Sequence, residues 1–231
     1  MKKQAVPGKH QTIMSANTNR PTFITFTGVD RADLLPGMHA LSERFPIEWG
    51  VLIDADQEDR PLFPGRGVRQ LLQASALRQS AHICGGAASA IVQGHDPRLD
   101  LEGFSRVQIN HSRNGSDEVS IRNSCAFGLR HDIRIALQCQ GAFPADDRVD
   151  WLYDVSFGSG RMPAAWPAVV SAHPLCGYSG GLGPTNVAEL LAKFPIAVGV
   201  PFWIDMESGV RTEGRFDLGK CAAVCELAFG G

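Results

Sequence analysis

Three carboxylates stand at the ends of apolar runs, where chemistry is more plausible than packing. Asp154 closes Trp151-Leu152-Tyr153, and Asp205 and Glu207 follow Phe202-Trp203-Ile204. A carboxylate beside buried apolar residues is costly unless it faces a wet cleft or finds a partner. For Asp154 two readings stand: a proton-transfer group at the mouth of a site, or a cap for the following loop. Asp205 could hold a substrate or a loop. Glu207 could serve as a base if burial lifts its carboxyl toward neutral pH, with plain solvation as the alternative. Cys84 ends another short run and by strand alternation shares a face with His82. A thiol near an imidazole can be a base or a nucleophile; a buried small hydrophobe beside a satisfied histidine is the competing reading.

A second group carries no charge. Gly180, Gly181 and Gly209 follow apolar segments, with Ser179 and Ser208 beside them and Arg161 and Arg211 nearby. Glycine lets a backbone approach an anion closely, and N–H groups at such turns can cradle a phosphate. Ordinary tight turns would look the same. The lysines are Lys2, Lys3, Lys9, Lys193 and Lys220, none in an expected strand, which argues against a Schiff-base aldolase. His82, His111, Asp154 and Asp205 lack close ligand spacing on one element, so no metal is expected.

The elements that must position these groups alternate. Strands are expected at Thr22–Thr27, Ile47–Ile53, Ala81–Cys84, Phe104–Asn110, Ile133–Cys139, Trp151–Val155, Pro174–Tyr178 and Pro201–Ile204. Helical patterns fall at about Leu34–Phe45, Val68–Gln79, Ala87–Val92, Asp117–Arg130 and Asp217–Phe229, the last capped by Asp217. The charged loop from Asp54 to Gly67 suits a ligand-facing position. This alternation predicts a parallel sheet, and eight strands in 231 residues favour a single closed (β/α)₈ barrel over residues 21–231. Active sites of such barrels lie at the carboxyl ends of the strands. No G-x-G-x-x-G follows the first strand, which leaves a dinucleotide fold without support. Residues 1–20 are polar, lack periodicity and are expected to be a flexible tail.

The run from Asp150 to Asp217 resembles the phosphoribosylanthranilate isomerase family. The likeness rests on Leu152-Tyr153-Asp154, Gly158-Ser159-Gly160 and Trp166, on Gly180 to Val187, on Asp205 to Val210, and on Glu213 to Asp217. In the first half it is carried by Thr25-Phe26-Thr27-Gly28 and Val107-Gln108-Ile109-Asn110. The resemblance implies an Amadori rearrangement, in which an acid opens an aminoaldose and a base takes the C2 proton. It assigns the acid to Asp154 and the base to position 27, where the family has Cys and this chain has Thr27. A threonine hydroxyl is too weak a base at neutral pH. Cys84 is then the first candidate for a displaced base and Asp54 the second. The resemblance also implies that Asp205 holds substrate or loop, and that Arg60 binds a substrate carboxylate bidentately.

Composition bounds the partners. A net charge of −2 offers no basic stripe for nucleic acid, and no run of 18 apolar residues spans a membrane. Six cysteines without C-x-x-C spacing fit reduced, buried thiols, and the N-terminus lacks a signal-peptide pattern, so a cytoplasmic location is expected. The expected partner is a phosphorylated small molecule, with no cofactor; oligomeric state stays open. The leading expectation is isomerisation of a phosphorylated sugar derivative. A barrel acting on another phosphorylated molecule, or a phosphosugar binder that has lost catalysis, are the alternatives.

Overall fold

A computed structural model describes residues 19–111, 116–156 and 158–230 of the chain. Eight parallel strands close into a barrel: β1 (Phe23–Thr27), β2 (Ile47–Ile53), β3 (Gln79–Ile83), β4 (Arg106–Ile109), β5 (Arg134–Cys139), β6 (Asp150–Tyr153), β7 (Cys176–Ser179) and β8 (Phe202–Met206). Closure is direct, since β1 pairs with both β2 and β8. Helices α1 (Leu35–Ser42), α2 (Arg66–Gln73), α3 (Gly85–Val92), α4 (Glu118–Arg130), α5 (Val187–Lys193) and α6 (Leu218–Phe229) surround it.

Strand alternation sorts the chain into two interiors. Outward positions such as Ile24, Phe26, Trp49, Val51, Ile83, Ile109 and Ile204 form one large apolar layer beneath the helices. Inward positions are mostly polar and pair around the barrel in register: Thr27 with Gly50, Leu52 with His82, His82 with Gln108, Ser179 with Asp205. Phe23, Leu152 and Trp203 form a small separate apolar cluster.

The crossings from β5 to β6 and from β6 to β7 carry no helix among the described residues. Pro163, Pro167 and Pro174 oppose helix in the second of these. Aromatic packing covers the barrel there instead: the Trp166 ring lies 5.4 Å from Tyr178 and 4.9 Å from Phe194. The Tyr153 hydroxyl donates to the Ala165 carbonyl and that of Tyr178 to the Pro167 carbonyl, fixing the loop.

Two sequence expectations change. The helix anticipated to Gln79 ends at Gln73, because Ala76 takes a positive φ of 58° and the Ser75 hydroxyl bonds back to the Leu72 carbonyl. Gln79 instead opens β3. The expected tail, residues 1–20, lies outside the described residues as far as residue 18. Asn19 and Arg20 are tied down: Asn19 donates to the carbonyls of Leu191 and Phe194, and Arg20 to that of Phe229. Asp217 caps α6 as anticipated, accepting from the amides of Gly219 and Lys220.

Candidate active site

The carboxyl ends of the strands enclose a cavity of about 520 Å³. Thr27, Cys84, Asp154, Gly180, Gly181, Asp205 and Ser208 all line it, together with Ser179, Glu207, His82 and His111. Of the residues singled out from sequence, Asp54, Arg60, Arg161, Gly209 and Arg211 do not.

Asp154 follows β6 and is 6% exposed. Its Oδ1 accepts from the Ser156 amide at 2.7 Å and the Ser156 hydroxyl at 2.8 Å, while Gln138 Nε2 donates to Oδ2 at 3.0 Å. The capping geometry anticipated as an alternative is thus present, and it fixes the carboxyl at the cavity wall rather than removing it.

Asp205, at 4% exposed, accepts a 2.7 Å hydrogen bond on Oδ1 from the Thr27 hydroxyl of the adjoining strand. Burial pushes its carboxyl up to about 7; Thr27 and the Arg106 charge oppose the rise, and the negative charges of Asp154 and Glu207 add to it. Burial also raises Glu207, against the pull of Arg211 and with a further push from Asp154. His82 goes the other way. Its burial, with Arg106 nearby, depresses the imidazole to about 3, so the ring is neutral, and its Nε2 lies 3.0 Å from the Ser80 hydroxyl.

Cys84 shares the cavity with His82, as strand alternation implied, but its thiol donates to the His82 carbonyl oxygen, at 3.8 Å, and makes no hydrogen bond to the imidazole among the described residues. Asn110 Nδ2 donates to the sulfur at 3.4 Å. Burial pushes the thiol up to about 11, with Asp54 and Glu207 adding to the rise against that hydrogen bond. A thiol so raised is protonated at neutral pH, which argues against the displaced-base role. Asp54 stands back from the cavity, its Oδ1 accepting from the Asp56 amide.

Three loops meet beside Asp205. Gly180 and Gly181 follow β7 at φ 111° and 67°, which excludes most side chains there. A Cβ on Gly209 would fall 1.9 Å from the Leu182 carbonyl oxygen, and one on Gly160 would fall 2.6 Å from the Ser208 hydroxyl. The glycines therefore let the loops after β6, β7 and β8 touch. Gly209 itself faces a second cavity, shared with Lys220 and Asp217 on the far side of that contact.

The cations fall elsewhere than their sequence positions suggested. Arg60 is exposed and reaches only Gln57 Oε1, at 3.4 Å, because Asp59 and Leu62 take positive φ and carry the loop across the barrel mouth. Leu62 and Phe63 from that loop wall the cavity instead. Arg211 pairs with Asp30 at 2.8 Å and donates to the Gly28 carbonyl at 2.9 Å, clamping the loop after β1. No lysine or arginine lines the cavity among the described residues.

Sequence reasoning gave no role to the amides Gln108, Asn110 and Gln138, which share the cavity wall. Gln108 Nε2 donates to Asn110 Oδ1 at 3.0 Å, while its buried Oε1 has no partner. The available signal was polar residues at inward positions of otherwise apolar strands. Among the described residues no group of three or more His, Cys, Asp or Glu is arranged to hold a metal ion. No described helix is long and apolar enough to cross a membrane.

No protein-family model matches this chain, nor does any curated protein sequence. Solved structures do. N-(5'-phosphoribosyl)anthranilate isomerase from Pyrococcus furiosus aligns with TM-score 0.57 and 15% identity, over 90% of this chain and 99% of its own. Phosphoribosyl anthranilate isomerase from Thermococcus kodakaraensis aligns with TM-score 0.55 and 14% identity, over the same shares. The likeness is one of fold. It agrees with the closed eight-stranded barrel.

Proposed function

We propose that this protein isomerises a phosphorylated sugar derivative by acid–base proton transfer, with Asp154 as the general acid. One observation carries the reading. Asp154, held by Gln138 and Ser156, faces the same cavity as the glycine turns after β7 and the Ser208 hydroxyl. Those turns suit a phosphate, because backbone N–H groups at glycine positions can approach its oxygens without a side chain between. The fold neighbours named as phosphoribosylanthranilate isomerases make that aminoaldose the first substrate to test.

In this scheme the phosphate anchors at Gly180, Gly181 and Ser208, and the sugar ring lies toward Asp154. Asp154 gives its proton to the ring oxygen as the C1–O bond breaks, leaving a protonated imine. Loss of the C2 proton then forms the C1=C2 bond and returns an electron pair to nitrogen. Proton return at C1 and loss of the C2 hydroxyl proton yield the aminoketose. Apolar Leu62 and Phe63 narrow the mouth and limit water.

A second reading concerns the substrate. Arg60 is exposed and outside the cavity wall, and no other described cation lines it. That favours a phosphorylated compound whose far end is read by amides such as Gln108 rather than by a guanidinium.

The test is steady-state turnover of phosphoribosylanthranilate by wild type and Asp154→Asn. General acid catalysis contributes about 10²–10⁴-fold, and a loss of that size is expected. Wild-type turnover no greater than that of the mutant would refute the isomerase reading. If a phosphosugar analogue still raised the melting temperature, a binding function would replace it.

A further inference from the structure

We infer that Asp205 is the base of this site and that the Thr27 hydroxyl positions it. The inference rests on the isomerase reading above and assigns the proton acceptor which that reading leaves open.

The geometry comes from barrel closure. β1 and β8 are hydrogen-bonded neighbours, with Thr25 in register with Asp205, so the inward end of β1 delivers Thr27 beside the Asp205 carboxyl. The Thr27 hydroxyl donates to Oδ1 at 2.7 Å. Among the described residues no hydrogen bond reaches Oδ2, and Asp205 lines the cavity. A carboxylate with one oxygen oriented by a neutral donor and the other facing the substrate space is the arrangement a proton acceptor needs. Thr27 occupies the strand position at which the resemblance would put a thiol; here the hydroxyl there holds a carboxylate one strand away.

The other candidates fail on their surroundings. Cys84 is protonated at neutral pH, and Asp54 lies outside the cavity. His82 is a poor acceptor at about 3, and among the described residues no hydrogen bond orients the Glu207 carboxyl as Thr27 orients that of Asp205. For Asp205 the facing groups are Thr27 from β1, His82 from β3, Arg106 from β4, and Asp154 and Glu207 at the mouth. Their sum, dominated by burial, puts its carboxyl near 7, so that both protonation states are accessible at working pH.

The step balances without a further reactant. After Asp154 has opened the ring, Oδ2 of Asp205 takes the C2 proton, the C2–H electron pair becomes the C1=C2 bond, and the imine π pair moves to nitrogen. The protonated Asp205 then returns its proton to C1 as the C2 hydroxyl proton leaves to water. Nothing is oxidised or reduced overall, since substrate and product are isomers.

The experiment follows kcat and KM of Asp205→Asn and Thr27→Val against pH, beside wild type, with deuterium incorporation from D₂O as the readout of carbon proton transfer. Asp205→Asn should lose about 10²–10⁴-fold in kcat with little change in KM, and lose deuterium incorporation. Thr27→Val removes a hydrogen bond that favours the carboxylate, so the acidic-limb inflection of kcat/KM, set by deprotonation of the base, should move to higher pH. An active wild type whose Asp205→Asn variant stays within about threefold would overturn the base assignment and leave the isomerase reading standing. An inflection unmoved in Thr27→Val would overturn the positioning role. If Asp205→Asn does not fold, Asp205→Glu serves: its carboxylate is displaced by one methylene, and an unchanged inflection and rate would again sink the assignment. A wild type with no turnover at all fails the isomerase reading and takes this inference with it.

Discussion

Two layers of the same barrel interior handle charge in opposite ways. At the amino end, Glu48 is fully buried, yet Arg106 Nη2 lies 2.5 Å from Oε1, Arg78 Nε lies 3.3 Å from Oε2, and Thr25 donates to Oε1 at 3.0 Å. Asp150 in that region is matched by Arg134 at 2.7 Å. Arg106 also lies over the Trp203 ring at 4.3 Å, so its guanidinium covers the apolar plug. Burial alone would raise Glu48, but Arg106, Arg78 and the hydrogen bonds overcome it and hold the carboxyl below its usual range. At the carboxyl end, Asp154, Asp205 and Glu207 face one cavity that no described lysine or arginine lines. There burial and mutual repulsion raise Asp205 and Glu207. The paired layer neutralises its buried carboxylates. The layer that no described lysine or arginine lines stores proton affinity at Asp205 and Glu207, which suits chemistry at a cost in stability.

Breaking the lower layer should have the largest effect on folding. Arg106→Ala strands Glu48 with only the half-exposed Arg78, and removing one partner of a buried pair costs about 3–5 kcal/mol. Chemical denaturation should report that loss directly; a change under about 1 kcal/mol would mean the pair contributes little net.

The two layers should also answer pH with opposite signs. Glu48 is lowered in the folded state, so its contribution is present above about pH 4.5 and lost as pH falls through its folded value. Asp205 is raised from 3.8 to about 7, so its contribution is complete below about pH 4 and lost as pH rises toward 7. Asp205→Asn should therefore gain about 2–4 kcal/mol relative to wild type at pH 8, and almost none at pH 4. Equal effects at both pH values would contradict a raised carboxyl.

A smaller effect is expected where the loops meet. Gly209→Ala places a methyl 1.9 Å from the Leu182 carbonyl oxygen, so one loop must move, at about 1–3 kcal/mol. Inorganic phosphate should protect this variant less than wild type in thermal melts. Arg60→Ala should do least. With its side chain exposed, the stability change should stay within about 0.5 kcal/mol and KM within about twofold. A tenfold rise in KM would return Arg60 to the binding site.

What was legible in the sequence follows from how each feature is encoded. Strand ends and the loops that follow them are contiguous, so Asp154 with its glycine loop, and Gly180-Gly181 after β7, could be read as units. The barrel followed from alternation at regular spacing. The Thr27–Asp205 bond joins residues 178 positions apart, and only barrel closure brings them together. Arg60 does not line the cavity, because positive φ at Asp59 and Leu62, which no side chain announces, steers its loop. Cys84 was placed correctly on the cavity wall, yet its reactivity depended on burial by neighbours from other strands.

The contrast between the layers can be measured most directly by ¹³C NMR titration of the side-chain carboxyls between pH 3 and 9, in wild type and Asp205→Asn. One aspartate should titrate near 7 in the wild type and vanish in the variant, while Glu48 remains ionised below the ordinary glutamate range. If every aspartate titrated near 4, the upper layer would hold no poised base, and both the electrostatic contrast and the assignment of Asp205 would fall.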